Sequence, residues 1–338
     1  MPVTSKKRRL LTDDPTTILT TYFIMNKRKF NELLRASFKS DDTEEWLDIH
    51  FNRPMGLLVA LAAERLHITP NAITIFSFFL GAAAGWMFYY TDLAHNLLGV
   101  LLLTLANFCD SADGQLARMT NQRSLLGRAL DGFSSDVWFT CIYFAIFLRI
   151  FDDPIPFIGV RWGLWGLALV FCAGVFGHTP QCRLADYYRQ IHLFFLLGKA
   201  GSELDDSASQ RAIVKALPKE KWFDRFYYTL YGNYCAAQEK DTPNFQVFYR
   251  NIQQHYPNAA DIPQELRDEV RARSLPLMKY TNMLTHNLRA ITLFVGCLAG
   301  VPYLYPVVEL TVMPLMYLKM HRTHERMCRE LNHKWFEA

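Results

Sequence analysis

Acidic residues recur at short intervals in one stretch of the chain, directly after the apolar residues 97–108. Asp110 and Asp113 open this stretch, and Asp131 and Asp136 close it. Carboxylates are costly at a membrane boundary, so a cluster of them there predicts a bound cation. Asp110 and Asp113 share one face of a helix because they are three residues apart. Oxygen ligands arranged in this way suit a hard divalent ion such as magnesium.

Two small residues and a cation accompany the carboxylates. Gly114 and Ala117 remove side-chain bulk where a phosphate or nucleotide would approach the backbone, and Arg118 can meet phosphate charge. Asp131 follows Gly127 by one helical turn, and it faces the first two carboxylates if the intervening segment turns the chain back. These residue types favour metal-assisted chemistry on a substrate that contains phosphate.

The composition indicates a membrane protein. Of the 338 residues 51% are hydrophobic, yet the mean hydropathy is only +0.01, so apolar blocks must alternate with strongly polar ones. The net charge of +4 is small, and the cations are clustered. Clustered cations suit an anionic membrane surface better than nucleic acid, for which no binding motif is present. Seven cysteines without a CxxC pair predict reduced, structural thiols.

Six apolar runs predict transmembrane helices, because about 20 apolar residues suffice to cross the hydrocarbon core. The predicted fold is therefore an all-α integral membrane bundle. Gly81 and Gly85 give the first span a small-residue face that lets another helix approach closely. The last run is short and carries Glu309 and Pro314. The predicted spans are residues 69–90, 93–108, 129–150, 157–177, 285–304 and 306–318.

Polar segments surround these spans, which themselves occupy residues 69–177 and 280–318. Residues 1–42 are predicted as a cytoplasmic extension and residues 319–338 as a basic cytoplasmic tail. Residues 43–68 mix apolar and charged side chains around Pro54, which favours an amphipathic segment at the membrane interface over an ordinary soluble helix. Residues 178–279 are too many for a simple loop, so they predict a helical cytoplasmic insertion near the active site. Its helices are predicted at 184–197, 208–216, 222–238, 245–255 and 264–273.

Basic residues also predict the orientation. The loops at residues 91–95 and 300–306 contain no lysine or arginine, whereas Arg118, Arg128 and the segment 183–279 supply cations on the other side. By the positive-inside rule, both termini and the carboxylates lie in the cytoplasm. The active site would then face the cytoplasm, at the inner membrane if the protein is bacterial.

The order Asp-x2-Asp-Gly-x2-Ala-Arg-x8-Gly-x3-Asp resembles the signature of the CDP-alcohol phosphotransferases, also called CDP-alcohol phosphatidyltransferases. Thr69-Pro70-Asn71 with Thr74 resembles the family's usual entry to its first helix. The six-helix core of that family agrees with the six predicted spans. The seven signature positions are held here by Asp110, Asp113, Gly114, Ala117, Arg118, Gly127 and Asp131.

The resemblance implies a metal-dependent enzyme of phospholipid synthesis. It would transfer a substituted phosphate, phosphatidyl by preference, from a CDP-linked donor such as CDP-diacylglycerol to an alcohol, and release CMP. The alternative is transfer of the CDP-choline or CDP-ethanolamine type to a lipid alcohol. Two Mg²⁺ or Mn²⁺ ions and a homodimer are further expectations. Carried over by position, the metal would be held by Asp110, Asp113 and Asp131, and the cytidine nucleotide by Gly114, Ala117 and Arg118 with Asn71 and Thr74.

The last member of the family pattern is missing. A fourth aspartate should follow Asp131 by four residues and act as the base, but Ser135 stands there and Asp136 comes next. On a regular helix Asp136 is rotated by roughly 100° from Ser135. A local π-bulge would turn it back. We therefore predict Asp136 as the base or a metal ligand, with Ser135 or a water as the alternative.

A polar stripe marks a candidate acceptor site. Asn282, His286 and Arg289 fall at intervals of four and three residues at the start of the fifth span. Together with nearby cations they favour an anionic acceptor such as inositol phosphate or glycerol phosphate. The alternative is that these cations anchor the helices to lipid phosphates.

Two other classes of protein compete with the enzyme. A transporter also holds carboxylates inside a membrane, although it has no need of the glycine, alanine and arginine at fixed places. A catalytically inactive relative that acts as a membrane scaffold is suggested by Ser135 alone.

Overall fold

The computed structural model describes residues 27–38, 40–122 and 124–337, and throughout this part of the chain the regular elements are helices. Short π-helical turns occur at Asp48–Asn52, Ala173–His178 and His333–Glu337. The predicted extension from residue 1 to 26 lies outside the described residues. The α-helices are α1 Lys27–Ser37, α2 Arg53–Arg65, α3 Pro70–Tyr89, α4 Leu93–Met119, α5 Leu125–Ile150, α6 Gly163–Cys172, α7 Thr179–Leu197, α8 Ser207–Ala216, α9 Trp222–Asp241, α10 Pro243–His255, α11 Gln264–Met283, α12 His286–Leu298 and α13 Leu304–Asn332.

Short polar side chains start the three helices that carry the motif. Thr69 caps α3, Asp92 caps α4 and Ser124 caps α5, and each accepts a hydrogen bond from the backbone three residues on. Such caps satisfy N–H groups that have no partner inside a helix. Between α4 and α5, Asn121 adopts a positive φ of 56°, which asparagine tolerates better than most residues. The chain therefore reverses at this turn, and α4 and α5 both pack against α3.

Four helices of the described chain are long and apolar enough to cross a membrane: α3, α4, α5 and the continuous stretch Gly163–Leu197. This last stretch joins α6 to α7 through the π turn Ala173–His178. The fourth span was predicted to end at residue 177, but the helix continues for 20 residues more. A π turn widens the helix locally without ending it, and it accommodates Pro180 in the first turn of α7.

The fifth and sixth spans remain predictions. Helix α12 has 13 residues, fewer than the roughly 20 that cross a bilayer without help. Helix α13 has 29 residues and runs on through most of the segment predicted as a basic tail. Its second half packs with α7, α10 and α11 around a shared apolar core that includes Tyr188, Phe245 and Met320. The tail is thus part of a folded unit together with the predicted insertion.

Close packing of α3 against α5 uses the glycines of the small-residue face. A Cβ atom at Gly81 would lie 2.0 Å from Trp138 Cδ1, and one at Gly85 would lie 3.0 Å from Cys141. Ala84 and Trp138 are both buried in the resulting core. Helix α5 of the same chain therefore covers the small-residue face of α3, so this face lends no support to a homodimer.

The segment before α3 packs on the motif helix. A Cβ atom at Gly56 of α2 would lie 2.7 Å from Ser111 Oγ of α4. Gln115 of α4 also donates a hydrogen bond to the Arg53 carbonyl, at 3.2 Å. Trp46 and Phe51 of this segment are exposed, and the Phe51 ring also contacts Phe108 of α4. Its location at a membrane interface remains a prediction.

Candidate active site

Three carboxylates converge between α4 and α5, which both pack against α3. Asp110 and Asp113 of α4 and Asp131 of α5 each offer an oxygen, and these atoms all lie within 4.8 Å of one another. Helical spacing brings the first two to one face, and the turn at Asn121 delivers the third. We refer to these three residues as the Asp group.

Hydroxyl groups orient two members of the Asp group. Ser134 Oγ donates to Asp110 Oδ1 at 2.5 Å, and the Thr74 hydroxyl donates to the Asp113 carboxylate. Both hydroxyl-bearing residues are buried. Sequence reasoning missed Ser134, although its position three residues after Asp131 places it on the same helix face. The Thr74 hydroxyl thus bonds a member of the Asp group, and the predicted contact of Thr74 with the nucleotide stays a prediction.

The Asp group fits a hard divalent cation. Its donors are all carboxylate oxygens, which magnesium and manganese prefer. Asp113 is buried, Asp110 is half-buried and Asp131 is exposed, so the group opens on one side only. Like charges at this separation repel one another strongly where water is scarce, and a bound cation offsets that repulsion.

The small residues of the motif lie against polar side chains. At Gly127 an added Cβ would lie 2.7 Å from Asn71 Oδ1, and at Gly114 it would lie 3.4 Å from Arg118 Nη1. Arg118 also donates to the Ser37 carbonyl at 3.2 Å. Asn71 thus lies against Gly127, and Arg118 lies beside Gly114.

Asp136 is not a member of the Asp group. Helix α5 is a regular α-helix from Leu125 to Ile150, so the expectation of a π-bulge that turns this residue back is wrong. The Asp136 side chain is 61% exposed, and its Oδ1 lies 3.9 Å from His178 Nε2. Ser135 is half-buried. The group of three potential ligands does not include Asp136.

The predicted acceptor residues do not share one open surface. Asn282 accepts a hydrogen bond from Arg189 at 3.0 Å. The His286 ring packs near Trp138 and Phe139 of α5, with ring centroids 6.0 and 5.8 Å apart. Arg289 is completely buried, so it has no surface to offer a ligand in this conformation.

A buried ion pair explains both Arg289 and the acidic residue in the sixth predicted span. Arg289 Nε donates to Glu309 Oε1 at 2.8 Å, and its Nη2 donates to Gln181 at 2.7 Å. The Tyr143 hydroxyl bonds the other Glu309 oxygen. His178 Nδ1 lies 3.4 Å from Glu309, so this imidazole stands between the buried pair and Asp136.

Comparison with known families agrees with this geometry. Residues 67–180 match the family described as CDP-alcohol phosphatidyltransferase. The match contains the entire Asp group and the helices that carry it. Residues 67–180 therefore carry a CDP-alcohol phosphatidyltransferase domain, as the motif within them predicts.

Two relatives each align with about a third of the chain. An archaetidylinositol phosphate synthase of Pyrococcus horikoshii is 33% identical over 105 residues, which are 31% of this chain and 50% of that protein. An uncharacterized protein of Aquifex aeolicus is 35% identical over 104 residues, or 30% of this chain and 44% of that protein. The chain spans half or less of the length of these relatives.

Proposed function

We propose that this protein transfers a phosphatidyl group from a CDP-linked lipid such as CDP-diacylglycerol to the hydroxyl of a polar alcohol, with release of CMP. The observation that carries the proposal is the Asp group, whose ligand atoms lie within 4.8 Å of one another inside the family domain. A transporter does not require the glycines and the arginine that accompany these carboxylates.

Asp110, Asp113 and Asp131 would hold Mg²⁺ or Mn²⁺, two ions in our proposal. Such ions, when bound, neutralise pyrophosphate oxygens and stabilise charge on a leaving phosphate. Ser134 and Thr74 would hold the Asp110 and Asp113 carboxylates in their rotamers by donating hydrogen bonds to them.

The nucleotide would lie over the glycines of the motif. Small or absent side chains would let the nucleotide approach the helix backbone at Gly114, Ala117 and Gly127. Asn71 lies beside Gly127, and Arg118 lies beside Gly114. Arg118 would contact the phosphates, because a guanidinium presents several donors to phosphate oxygens in a fixed geometry.

Asp136 would act as the general base. It would take the proton of the acceptor hydroxyl while that oxygen forms a bond to the lipid-bearing phosphorus and the bond from phosphorus to the CMP oxygen breaks. His178, 3.9 Å away, would orient the carboxylate. Ser135 or a water remains the alternative base.

The acceptor would be an anionic polyol, and inositol phosphate is the first candidate. The printed name of the Pyrococcus horikoshii relative supports this choice. Arg189, Asn282 and His286 would contact the acceptor, whereas Arg289 would hold the helices in place behind them. The site would face the cytoplasm, as the distribution of cations favours.

Purified protein with magnesium, CDP-diacylglycerol and a panel of alcohols tests the proposal through CMP release. We expect CMP with inositol phosphate or glycerol phosphate, and none with Asp113→Asn. Asp152→Asn is the matched control, because that aspartate is exposed in a loop after α5. A parallel assay with CDP-choline or CDP-ethanolamine and diacylglycerol tests the alternative reaction. Absence of CMP in every pairing, with folded protein, would contradict an enzymatic role.

A further inference from the structure

The hairpin of α8 and α9 presents an apolar stripe to its surroundings. Trp222, Phe226 and Leu230 are spaced four residues apart along α9, so they line one face of that helix. Trp222 is 71% exposed and Phe226 is 56% exposed. Ile213 of α8 is exposed as well. Large aromatic side chains in such a row mark an interaction surface.

Cations accompany the stripe at the tip of the hairpin. Residues 211–222 carry the exposed side chains of Arg211, Lys215, Lys219 and Lys221, with Glu220 as the exposed carboxylate. Four cations against one carboxylate leave a net charge of +3 on this short segment. An apolar stripe bordered by lysine and arginine is typical of helices that lie on an anionic membrane surface.

The hairpin is held in shape before it meets any partner. Arg225 Nη1 donates to the carbonyls of Val214 and Leu217, both at 2.7 Å, and so fastens α9 to the end of α8. At the open end, Ser207 Oγ donates to Glu239 at 2.6 Å. The stripe therefore needs little ordering on binding, which lowers the entropic cost.

A contact with α5 places the hairpin beside the membrane boundary. Tyr227, next to Phe226 in α9, is buried, and it lies against Arg128 in the first turn of α5. Burial raises the pKa of the Tyr227 phenol, and the nearby Arg128 guanidinium opposes that rise. Since α5 is one of the four helices that can span a membrane, its first turn belongs near a headgroup region.

We propose that the α8–α9 hairpin docks on a bilayer surface that contains anionic phospholipids, with the stripe among the headgroups and the tip cations on lipid phosphates. A protein partner would account for the apolar stripe but not for the excess of cations around it. The proposal concerns the hairpin alone and does not rest on the proposed reaction.

Hydrogen–deuterium exchange of the full chain in lipid nanodiscs tests the proposal. We expect the backbone amides of residues 207–241 to exchange more slowly when phosphatidylglycerol is added to phosphatidylcholine nanodiscs. Added salt should reduce the protection, because exposed charges are screened. Each of Lys215→Glu, Lys219→Glu and Lys221→Glu should speed exchange by at least about fivefold, because loss of one cation near an anionic surface alone costs about 1 kcal/mol.

The matched control is Lys240→Glu, an exposed lysine near the other end of α9. This variant should leave the protection of the backbone amides unchanged. The double variant Trp222→Ser, Phe226→Ser should abolish the protection in nanodiscs with and without phosphatidylglycerol. Equal exchange with and without phosphatidylglycerol would overturn the proposal. So would protection that persists in detergent and rises with protein concentration, because that result indicates contact between protein copies.

Discussion

Hydroxyl donors to the Asp group decide how well the carboxylates are oriented. We expect Ser134→Ala to weaken metal affinity by about 10- to 100-fold, because partners of ligating carboxylates contribute that much in other metal sites. Titration with Mn²⁺, followed by electron paramagnetic resonance, measures the affinity directly. Ser135→Ala is the neighbouring control and should bind Mn²⁺ like the parent. Unchanged affinity in Ser134→Ala would remove the positioning role.

Asp136 and Ser135 offer two sources for the general base. If Asp136 takes the proton, Asp136→Asn should lower kcat by about 100-fold or more, while Ser135→Ala stays within a few fold. The CMP release assay measures both variants. Metal affinity should be unchanged in Asp136→Asn, since its carboxylate contacts His178 rather than the Asp group. A dead Ser135→Ala beside an active Asp136→Asn would reverse the assignment.

Helical periodicity explains why the sequence predicted part of the Asp group well. Asp110 and Asp113 had to share a face in any regular helix. Asp131 depended on the turn between α4 and α5, which a sequence pattern proposes but does not fix in space. Thr74 and Ser134 reach these carboxylates from neighbouring helices, so their partners became known only with the fold.

Packing of α3 against α5 leaves no room for a side chain at Gly81. Gly81→Ala should lower stability by about 1–3 kcal/mol, the usual cost of forcing an extra carbon into a packed core. Gly132→Ala is the matched control, because no atom lies within 4 Å of the added carbon. It should be neutral or stabilising by up to about 1 kcal/mol through helix propensity. Thermal unfolding in detergent compares the two, and equal melting temperatures would contradict this packing.

Helices α12 and α13 are joined by a charge pair with no exposed surface on either side chain. Glu309→Gln should destabilise the protein by about 3–5 kcal/mol, because it leaves Arg289 buried without a counter-charge. The double variant Arg289→Met, Glu309→Leu should recover much of that loss. As a control, Arg326→Met breaks an exposed pair and should cost less than about 1 kcal/mol. A double variant as unstable as Glu309→Gln would contradict a mainly electrostatic origin.

At the scale of the whole molecule, labelling of added cysteines distinguishes six membrane crossings from four. Six spans put residues 299–303 on the opposite side from the insertion, whereas the four candidate spans alone put both on one side. The native cysteines are buried or half-buried, so an added exposed cysteine should be labelled more strongly than the native ones. In intact cells a membrane-impermeant maleimide should label Ala299→Cys, and it should reach Lys219→Cys only after permeabilisation, as the positive-inside rule predicts. Labelling of Ala299→Cys only after permeabilisation would favour four spans.

The sequence alone determined the all-helical class, the family of the domain at residues 67–180 and the residues of the motif. Apolar runs, caps and spacing along a helix are local properties, so they can be read without knowing what packs against what. The tertiary structure decided that the small-residue face of α3 is filled by α5, that Arg289 pairs with Glu309, and that Asp136 faces His178. It also joined the tail to the insertion in one core. Each of these depends on contacts between residues far apart in the chain, whose distances no local pattern determines.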